Sequence, residues 1–157
     1  MTGADWLYRR VGLARAYYSP FRPVTDTPLW GSPSTPASRE FRLYQADFLL
    51  RDYGFQLDEL PFQNNDALPE QVDPKLAWAR QNLTDHLIEV NRADRHELLR
   101  VPGIGPKGAE AIIQARRYGQ FQSLSQLNAL GVLANRAAPF ILLNGRRPPH
   151  QLTLGLE

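Results

Sequence analysis

Apolar side chains recur at helical spacing in three stretches of the first half of the chain. Their pattern predicts a short helix over residues 4–12 and a longer one from Arg39 to Tyr53. Asp73 followed by Pro74 is a typical helix start, and it predicts a third helix that continues to about Asn82. The first half of the chain is therefore expected to be mainly helical.

The segments between these helices carry different signals. Residues 14–18 (ARAYY) have strand character and form an isolated strand candidate. Residues 19–38 contain five prolines among serines and threonines, which favours extended backbone. A short helical turn is expected at 57–60, before a polar and turn-rich stretch over 61–73.

Residues 91–118, NRADRHELLRVPGIGPKGAEAIIQARRY, have a pattern typical of two helices joined by a tight turn. Asp94 can cap the first helix, and Glu97 stands at the position that completes a capping box. In PGIGP at 102–106, two glycines allow backbone conformations and close approaches that other residues resist. The second proline of this turn suits the first turn of the following helix.

This hairpin has a degenerate copy 28 residues further along the chain. Gly131 stands in place of Gly103 and Val132 in place of Ile104, whereas Leu133 replaces the second glycine. The second hairpin is therefore expected to be a weaker binding element than the first.

The predicted fold class is mainly α. A tandem of two helical hairpins over residues 91–143, the second of them degenerate, follows a helical segment that contains a short strand and a proline-rich linker. An alternative interpretation of residues 123–141 is a simple supporting pair of helices.

Composition excludes several kinds of chemistry. The 157 residues include no cysteine, which excludes a disulfide framework, a thiolate zinc site and a cysteine-ligated iron–sulfur cluster in this chain. We expect no cofactor in this chain and no assembled catalytic site. No apolar run approaches a membrane span and no signal peptide opens the sequence, so a cytoplasmic location without membrane binding is expected.

The net charge of +2 conceals an asymmetry along the chain. Residues 1–90 carry nine basic and twelve acidic side chains, whereas residues 91–147 carry nine basic and three acidic ones. This difference favours a polyanion as the partner of the C-terminal part. A solvated basic face without a partner is the alternative.

The string LLRVPGIGPKGAEAI at 98–112 resembles the helix–hairpin–helix motif. The resemblance implies that the backbone N–H groups of Gly103, Gly105, Lys107 and Gly108 face a DNA phosphate. Lys107 would add a positive charge beside the dipole of the second helix. Such contacts read the DNA backbone, so little sequence specificity is expected.

Other residues enter the predicted site around this turn. Ile104 is expected to plug the space between the two helices, and Arg136 could restore a charged contact at the second hairpin. The remaining cations predicted to contact DNA are Arg116, Arg146 and Arg147. Bulky substitutions at Gly103 and Gly105 together with Lys107→Glu are expected to weaken DNA binding while the fold stays intact.

Some members of the helix–hairpin–helix family hold a monovalent cation on carbonyl groups of the hairpin. The matching carbonyls in this sequence are those of Leu99, Val101 and Ile104. The resemblance implies this site, and no other metal site is expected.

Four blocks resemble, in order, the C-terminal part of a bacterial family of radical S-adenosylmethionine proteins assigned to DNA modification or repair. The blocks are LYRRVGLARAYYSPFRPV, EFRLYQADFLLRDYGF, DPKLAWA and VNRADRHELLRVPGIG. The resemblance implies five segments: residues 1–24 as the remnant of a barrel domain, 25–38 as a linker, 39–90 as a helical segment, 91–143 as the tandem helix–hairpin–helix domain and 144–157 as a flexible tail. Residues 14–24 would then be the last barrel strand and its exit.

The family's CxxxCxxC cluster motif is absent from this sequence. The resemblance therefore implies either that the chain is a truncated product or that a radical S-adenosylmethionine catalytic domain is a separate polypeptide. A protein similar to uracil-DNA glycosylases is a second implied partner. A helical scaffold that docks such a partner is the main alternative to DNA binding, and an autonomous enzyme is a further one.

Two other groups of residues suggest sites. His86 and Glu89 form HxxE on an expected helix, but further metal ligands are missing, and His96 is expected at a helix surface. The carboxylate pairs of the first half (Asp47 with Asp52, Asp58 with Glu59) are also expected to be surface residues, because no nucleophile accompanies them.

Aromatic residues also lie between two arginines in the first half of the chain. Tyr17, Tyr18 and Phe21, flanked by Arg15 and Arg22, could stack on single-stranded bases or pack in a core, and packing is preferred.

Overall fold

A computed structural model of the chain describes residues 1–63 and 67–149. The fold is mainly helical, as predicted. In chain order the elements are α1 (Thr2–Val11), α2 (Ala37–Asp52), a 3-10 turn (Leu57–Glu59), α3 (Pro74–Asn82), β1 (Ile88–Glu89), α4 (Arg95–Arg100), α5 (Pro106–Ala115), α6 (Leu124–Ala129), α7 (Ala134–Ala137), a second 3-10 turn (Ala138–Phe140) and β2 (Ile141–Leu142). The chain divides into two compact units, Met1–Ala77 and Trp78–Glu157.

The helices predicted over 4–12, 39–53 and 74–82 are confirmed as α1, α2 and α3. Helix α2 begins two residues earlier than predicted, directly after Pro36. None of the helices in the described part of the chain combines the length and apolarity that crossing a membrane requires.

The first unit is built around a buried carboxylate on α2. Asp47 is 1% exposed, and its carboxylate accepts hydrogen bonds from the hydroxyl groups of Tyr8 and Tyr18 and from Arg51 Nε, the last at 2.9 Å. Burial and the neighbouring carboxylate raise the pKa of both tyrosines, so both remain neutral donors. A carboxylate can be buried here because it is both paired and hydrogen-bonded.

The strand predicted at 14–18 is wrong, and with it the expectation of a barrel strand over 14–24. The backbone there is bonded by tyrosine side chains instead of a neighbouring strand. Ala16 N–H donates to the Tyr8 hydroxyl at 2.9 Å, and Tyr18 N–H donates to the Tyr44 hydroxyl at 3.0 Å. The Tyr44 hydroxyl in turn donates to the Tyr18 carbonyl at 3.0 Å. These bonds satisfy backbone groups that a strand would present to a sheet.

The second unit contains the two predicted hairpins in a shared core. Its largest fully buried side chains come from α4, the first turn, α5, α6 and β2: Leu98, Leu99, Ile104, Ile112, Leu127 and Ile141. The tandem arrangement with a degenerate second copy is confirmed.

A short parallel strand pair, which the sequence pattern did not predict, joins the two ends of this unit. Ile88 of β1 lies opposite Ile141 of β2, and Val90 N–H donates to the Leu142 carbonyl at 3.0 Å. The pair links the segment before the first hairpin to the segment after the second.

Candidate nucleic-acid interface

Helix α4 begins with the predicted capping box. Glu97 N–H donates to the Asp94 carboxylate at 2.8 Å, and Asp94 N–H donates to the Glu97 carboxylate at 2.8 Å. At the other end of the helix, Arg100 is only 4% exposed, and its guanidinium lies 5.5 Å from the Trp78 ring centroid. His96, expected at the surface of this helix, is exposed and lies with its Nε2 2.9 Å from Arg100 Nη2.

The first turn is closed by backbone bonds and by one buried side chain. Ile104 is 1% exposed and plugs the turn as predicted, and its N–H donates to the Val101 carbonyl at 3.2 Å. Gly103 has a φ of 87°, in the left-handed region that favours glycine. Gly105 is the N-cap of α5 with extended backbone, and Pro106 is the first helical residue.

This turn leaves donors without a partner at the start of a ten-residue helix. Among the described residues, none accepts a hydrogen bond from the N–H groups of Gly103, Gly105, Lys107 and Gly108. The Lys107 side chain is exposed beside them. Free N–H groups at the positive end of a helix dipole bind anions. We call these four residues the hairpin site.

The second turn does not offer the same donors. At three of the four matching positions, Gly131 N–H donates to the Asn128 carbonyl at 2.9 Å, Leu133 N–H to the Gly103 carbonyl at 3.0 Å, and Arg136 N–H to the Leu133 carbonyl at 2.9 Å. The second hairpin therefore uses internally most of the groups that the first leaves free. This agrees with its expected degeneracy.

Two glycines of the first hairpin make room for the second hairpin. A Cβ atom on Gly103 would lie 2.5 Å from the Leu133 carbonyl oxygen, and one on Gly108 would lie 3.0 Å from Val132 Cγ2. The expectation that bulk at Gly103 leaves the fold intact is therefore wrong, because the obstacle is backbone. The exposed Lys107 side chain is therefore the better probe of the predicted contact.

The predicted cations lie in three different places. Arg136 is exposed, and its Cβ lies 3.1 Å from the position that a Cβ on Gly103 would take, so this residue of α7 lies beside the first hairpin as well. Arg116 is used internally, since its Nη1 donates to the carbonyls of Ala93 at 2.6 Å and Val90 at 3.2 Å. Arg116 bonds to these carbonyls from the C-terminal end of α5, whereas the hairpin site lies at the N-terminal end of that helix.

Arg146 and Arg147 follow a tight turn at the end of the unit. Asn144 and Gly145 both have positive φ, 54° and 74°, as a two-residue type I′ turn requires. Leu143 N–H donates to the Arg146 carbonyl at 2.9 Å across this turn. Residues 144–146, expected in a flexible tail, are thus part of the folded unit, because the bonds between Leu143 and Arg146 hold this turn. Residues 150–157 of the expected tail lie outside the described residues.

The turn is anchored by Glu89, which sequence analysis considered only as half of an HxxE pair. Its carboxylate accepts the N–H groups of Asn91 at 3.1 Å, Asn144 at 3.2 Å and Gly145 at 2.6 Å. The helix expected around His86 is absent from this described stretch, because Glu89 belongs to β1. Within the described residues, no three His, Cys, Asp or Glu side chains are grouped to hold a metal ion.

Asn91 is a second anchor that sequence analysis missed. Its side chain accepts the Phe121 N–H at 2.7 Å and donates to the Phe121 carbonyl at 3.0 Å and to Asn144 Oδ1 at 3.1 Å. The dipeptide Asn144-Gly145 is a strong signal for a tight turn and could have indicated this arrangement.

The remaining candidates lie in the first unit. Tyr18 is occupied by Asp47, whereas Tyr17 is 80% exposed with the Arg15 guanidinium 5.3 Å from its ring centroid. Asp47 is buried, so its expected surface position is wrong. The carboxylate of Glu59 accepts the Gln56 N–H at 2.7 Å in a capping box.

Comparison with known families identifies the hairpin region. Residues 84–137, about a third of the chain, match a family model described as the helix-hairpin-helix motif. The match covers both hairpins, from the segment before β1 to the end of α7. No match is found among curated proteins or among solved structures. The motif supports DNA binding by this part of the chain.

Proposed function

We propose that the second unit binds DNA without sequence specificity, through phosphate groups held at the hairpin site. The observation that carries this proposal is the set of N–H groups on Gly103, Gly105, Lys107 and Gly108 that have no acceptor among the described residues. A phosphate oxygen is the acceptor that this geometry and charge favour.

The charge of the second unit supports the same partner. Residues 78–149 carry ten basic and five acidic side chains. Three of the five acidic side chains are occupied by backbone N–H groups: Glu89 at the turn, and Asp94 and Glu97 in the capping box. Because basic side chains outnumber acidic ones two to one, an approaching polyanion meets a unit of net positive charge.

The proposed contacts read the phosphate backbone and no base edge. Duplexes of unrelated sequence should therefore bind with equal affinity at any one salt concentration. The affinity should fall steeply with salt, because each neutralised phosphate releases counterions.

The test is a fluorescence anisotropy titration of a short labelled duplex over a series of KCl concentrations. Lys107→Gln should lower the slope of log K against log salt by about 0.9, the value for one phosphate contact. Arg80→Gln is the matched control, since it removes an exposed charge on α3, an element outside both hairpins. Equal effects of the two variants would show that only net charge matters and would contradict the hairpin site.

We extend the proposal to a monovalent cation on the carbonyls of Leu99, Val101 and Ile104. The Val101 carbonyl already accepts the Ile104 N–H at 3.2 Å, and a carbonyl oxygen has a second lone pair. A cation there would add positive charge next to the bound phosphate. DNA affinity should be higher in KCl than in LiCl at equal ionic strength, and equal affinities would contradict the cation site.

A second function, partner docking, is favoured by the surface of the first unit. Trp6, Trp30 and Phe41 are 57%, 56% and 58% exposed, and α1 contains no buried residue. We propose that this unit docks the catalytic component of a DNA modification or repair system, either a radical S-adenosylmethionine domain or a protein similar to uracil-DNA glycosylases. The support is this apolar surface together with the resemblance of residues 5–143.

The docking function is tested by co-purification of the full chain with each candidate partner. The double variant Trp6→Ser with Trp30→Ser should no longer co-purify with the protein partner but should keep its DNA affinity. Lys107→Gln should keep the protein partner and lose DNA affinity. If the tryptophan variant retains the protein partner as well as DNA, docking through these tryptophans is contradicted.

A further inference from the structure

Exposed cations and one exposed aromatic ring gather at the end of the α4–α5 pair opposite the hairpin site. Arg92 precedes α4, Arg117 and Tyr118 follow α5, and Arg146 and Arg147 follow the Asn-Gly turn; all five are exposed. We call this group the arginine face. It is distinct from the hairpin site, since the ten residues of α5 separate the two by about 15 Å.

Hydrogen bonds described above hold the three segments of the arginine face together. Arg116 fastens the end of α5 to the Ala93 carbonyl at 2.6 Å. Asn91 bonds to the Phe121 carbonyl at 3.0 Å and to Asn144 Oδ1 at 3.1 Å. The arginine face is therefore a property of the folded unit, formed by residues far apart in sequence.

The charges of this face are not neutralised within the protein. Among the described residues, none of its four guanidinium groups makes an ion pair or a hydrogen bond. Glu89 and Asp94, the carboxylates closest to Arg92 along the chain, accept backbone N–H groups and form no ion pair with the arginine face. The face is thus a concentrated positive surface ready for a polyanion.

The exposed ring of Tyr118 indicates which kind of polyanion the arginine face would bind. Tyr118 is 94% exposed, so its ring contacts almost nothing in the protein. In duplex DNA both faces of most bases are already stacked, whereas an unpaired base offers a free face to an aromatic side chain. An aromatic platform beside unpaired arginines is the combination that binds single strands.

We propose that the arginine face binds single-stranded DNA, with one base stacked on Tyr118 and the arginines on the flanking phosphates. A second step rests on the proposed function. When a duplex is bound at the hairpin site, a single strand that extends from the end of that duplex reaches Tyr118. The separation of about 15 Å corresponds to about four nucleotides at the rise of B-DNA. The second unit would thereby select a junction between double-stranded and single-stranded DNA.

The test compares three probes by fluorescence anisotropy with the full chain. They are a blunt duplex, the same duplex with a short oligo(dT) tail, and the same duplex with an abasic deoxyribose-phosphate tail. The oligo(dT) tail should raise affinity about tenfold, within the range measured for stacking of one base on an aromatic residue. The abasic tail keeps the phosphates and should give a clearly smaller gain.

The variants separate stacking from charge. Tyr118→Ala should remove the difference between the two tails and leave blunt-duplex affinity unchanged, whereas Tyr118→Trp should keep the difference. Arg146→Gln with Arg147→Gln should lower the salt dependence for both tails. Tyr17→Ala is the matched control, because Tyr17 is also exposed with an arginine nearby but lies in the first unit.

The outcomes distinguish this inference from the proposed function. If wild type gains nothing from the oligo(dT) tail, or gains equally from both tails, the arginine face does not bind a base and the inference fails, while blunt-duplex binding stands. If the blunt duplex does not bind but the oligo(dT) tail alone binds through Tyr118, the proposed function fails and the arginine face stands. Equal loss in Tyr17→Ala and Tyr118→Ala would overturn the assignment to Tyr118.

Discussion

The Leu133 carbonyl oxygen lies so close to Gly103 that a Cβ atom on residue 103 would be 2.5 Å away from it. In the same contact, Leu133 N–H donates to the Gly103 carbonyl at 3.0 Å. The two hairpins are therefore joined backbone to backbone at the first glycine of the first turn. This glycine serves the packing of the tandem as well as the conformation of its own turn.

The two equivalent glycines of the tandem should respond differently to alanine. Gly103 and Gly131 have φ values of 87° and 77°, but nothing lies within 4 Å of a Cβ on Gly131. Gly131→Ala should lower the free energy of unfolding by about 1 kcal/mol, from backbone strain alone. Gly103→Ala adds the clash with Leu133 and should cost about 3 kcal/mol or more. Urea denaturation of the two variants measures this difference, and equal losses would mean that the clash is relieved at no cost.

Arg116 is expected to stabilise the unit and to contribute little to DNA binding. Arg116→Met keeps the apolar stem and removes the donors to the Ala93 and Val90 carbonyls. The free energy of unfolding should fall by about 2 kcal/mol, as for hydrogen bonds from a charged group. The slope of DNA affinity against salt should stay unchanged under conditions where the variant is folded. A slope lowered by about 0.9 with unchanged stability would instead make Arg116 a phosphate contact.

Glu89 should matter for folding through its acceptor oxygens. Its carboxylate accepts three N–H groups, and Glu89→Gln turns one acceptor oxygen into a donor that faces them. We expect a loss of about 2 kcal/mol in the free energy of unfolding, measured by urea denaturation. Glu110→Gln is the control, since Glu110 is exposed and, among the described residues, its carboxylate accepts a single hydrogen bond, from Gln114 Nε2 at 3.2 Å. Similar losses in both variants would contradict the anchoring role of Glu89.

Much of the hairpin could be predicted because its signals are local. The capping box of Asp94 and Glu97, the buried plug Ile104 and the start of α5 at Pro106 each depend on residues within a few positions of one another. The degenerate repeat was visible because its apolar and glycine positions recur at a constant separation.

The packing of these elements could not be predicted in the same way. The sequence does not show whether a glycine in a turn is needed for close approach of a phosphate, for a positive φ or for contact with a second hairpin. The structure shows the last two at Gly103, beside the proposed phosphate contact. The strand pair β1–β2 has two residues on each side, too few for an alternating pattern. Arg116 is bound to carbonyls, whereas the Arg117 side chain makes no hydrogen bond within the described residues. Which of these an arginine does depends on the backbone that the fold brings close to it.

The same limit explains the false strand at 14–18. Tyrosine favours strands, and this segment contains two, but the fold uses tyrosine hydroxyl groups to bond the backbone that a sheet would have paired. Nothing within the segment itself distinguishes these two uses, because the partners Tyr8 and Tyr44 lie on helices elsewhere in the unit.

The hydroxyl cluster around Asp47 should make the first unit sensitive to alkali. Burial and the Asp47 carboxylate raise the pKa of Tyr8 and Tyr18 above the ordinary value of 10.0. Between pH 10 and the raised values, the unfolded chain releases these protons while the folded chain keeps them. The stabilisation is therefore fully present below about pH 10 and is lost as the pH rises through the folded pKa values.

This loss of stability is measured by urea denaturation at pH values from about 8 to about 11, with near-ultraviolet circular dichroism as the signal that monitors unfolding. In wild type the free energy of unfolding should decline above about pH 10. The double variant Tyr8→Phe with Tyr18→Phe starts less stable, because it loses the bonds to Asp47, but its decline should be shallower. Tyr17→Phe is the control, since that ring is 80% exposed, and it should decline as wild type does. If the double variant declines as steeply as wild type, the alkaline sensitivity arises from other groups and not from the cluster around Asp47.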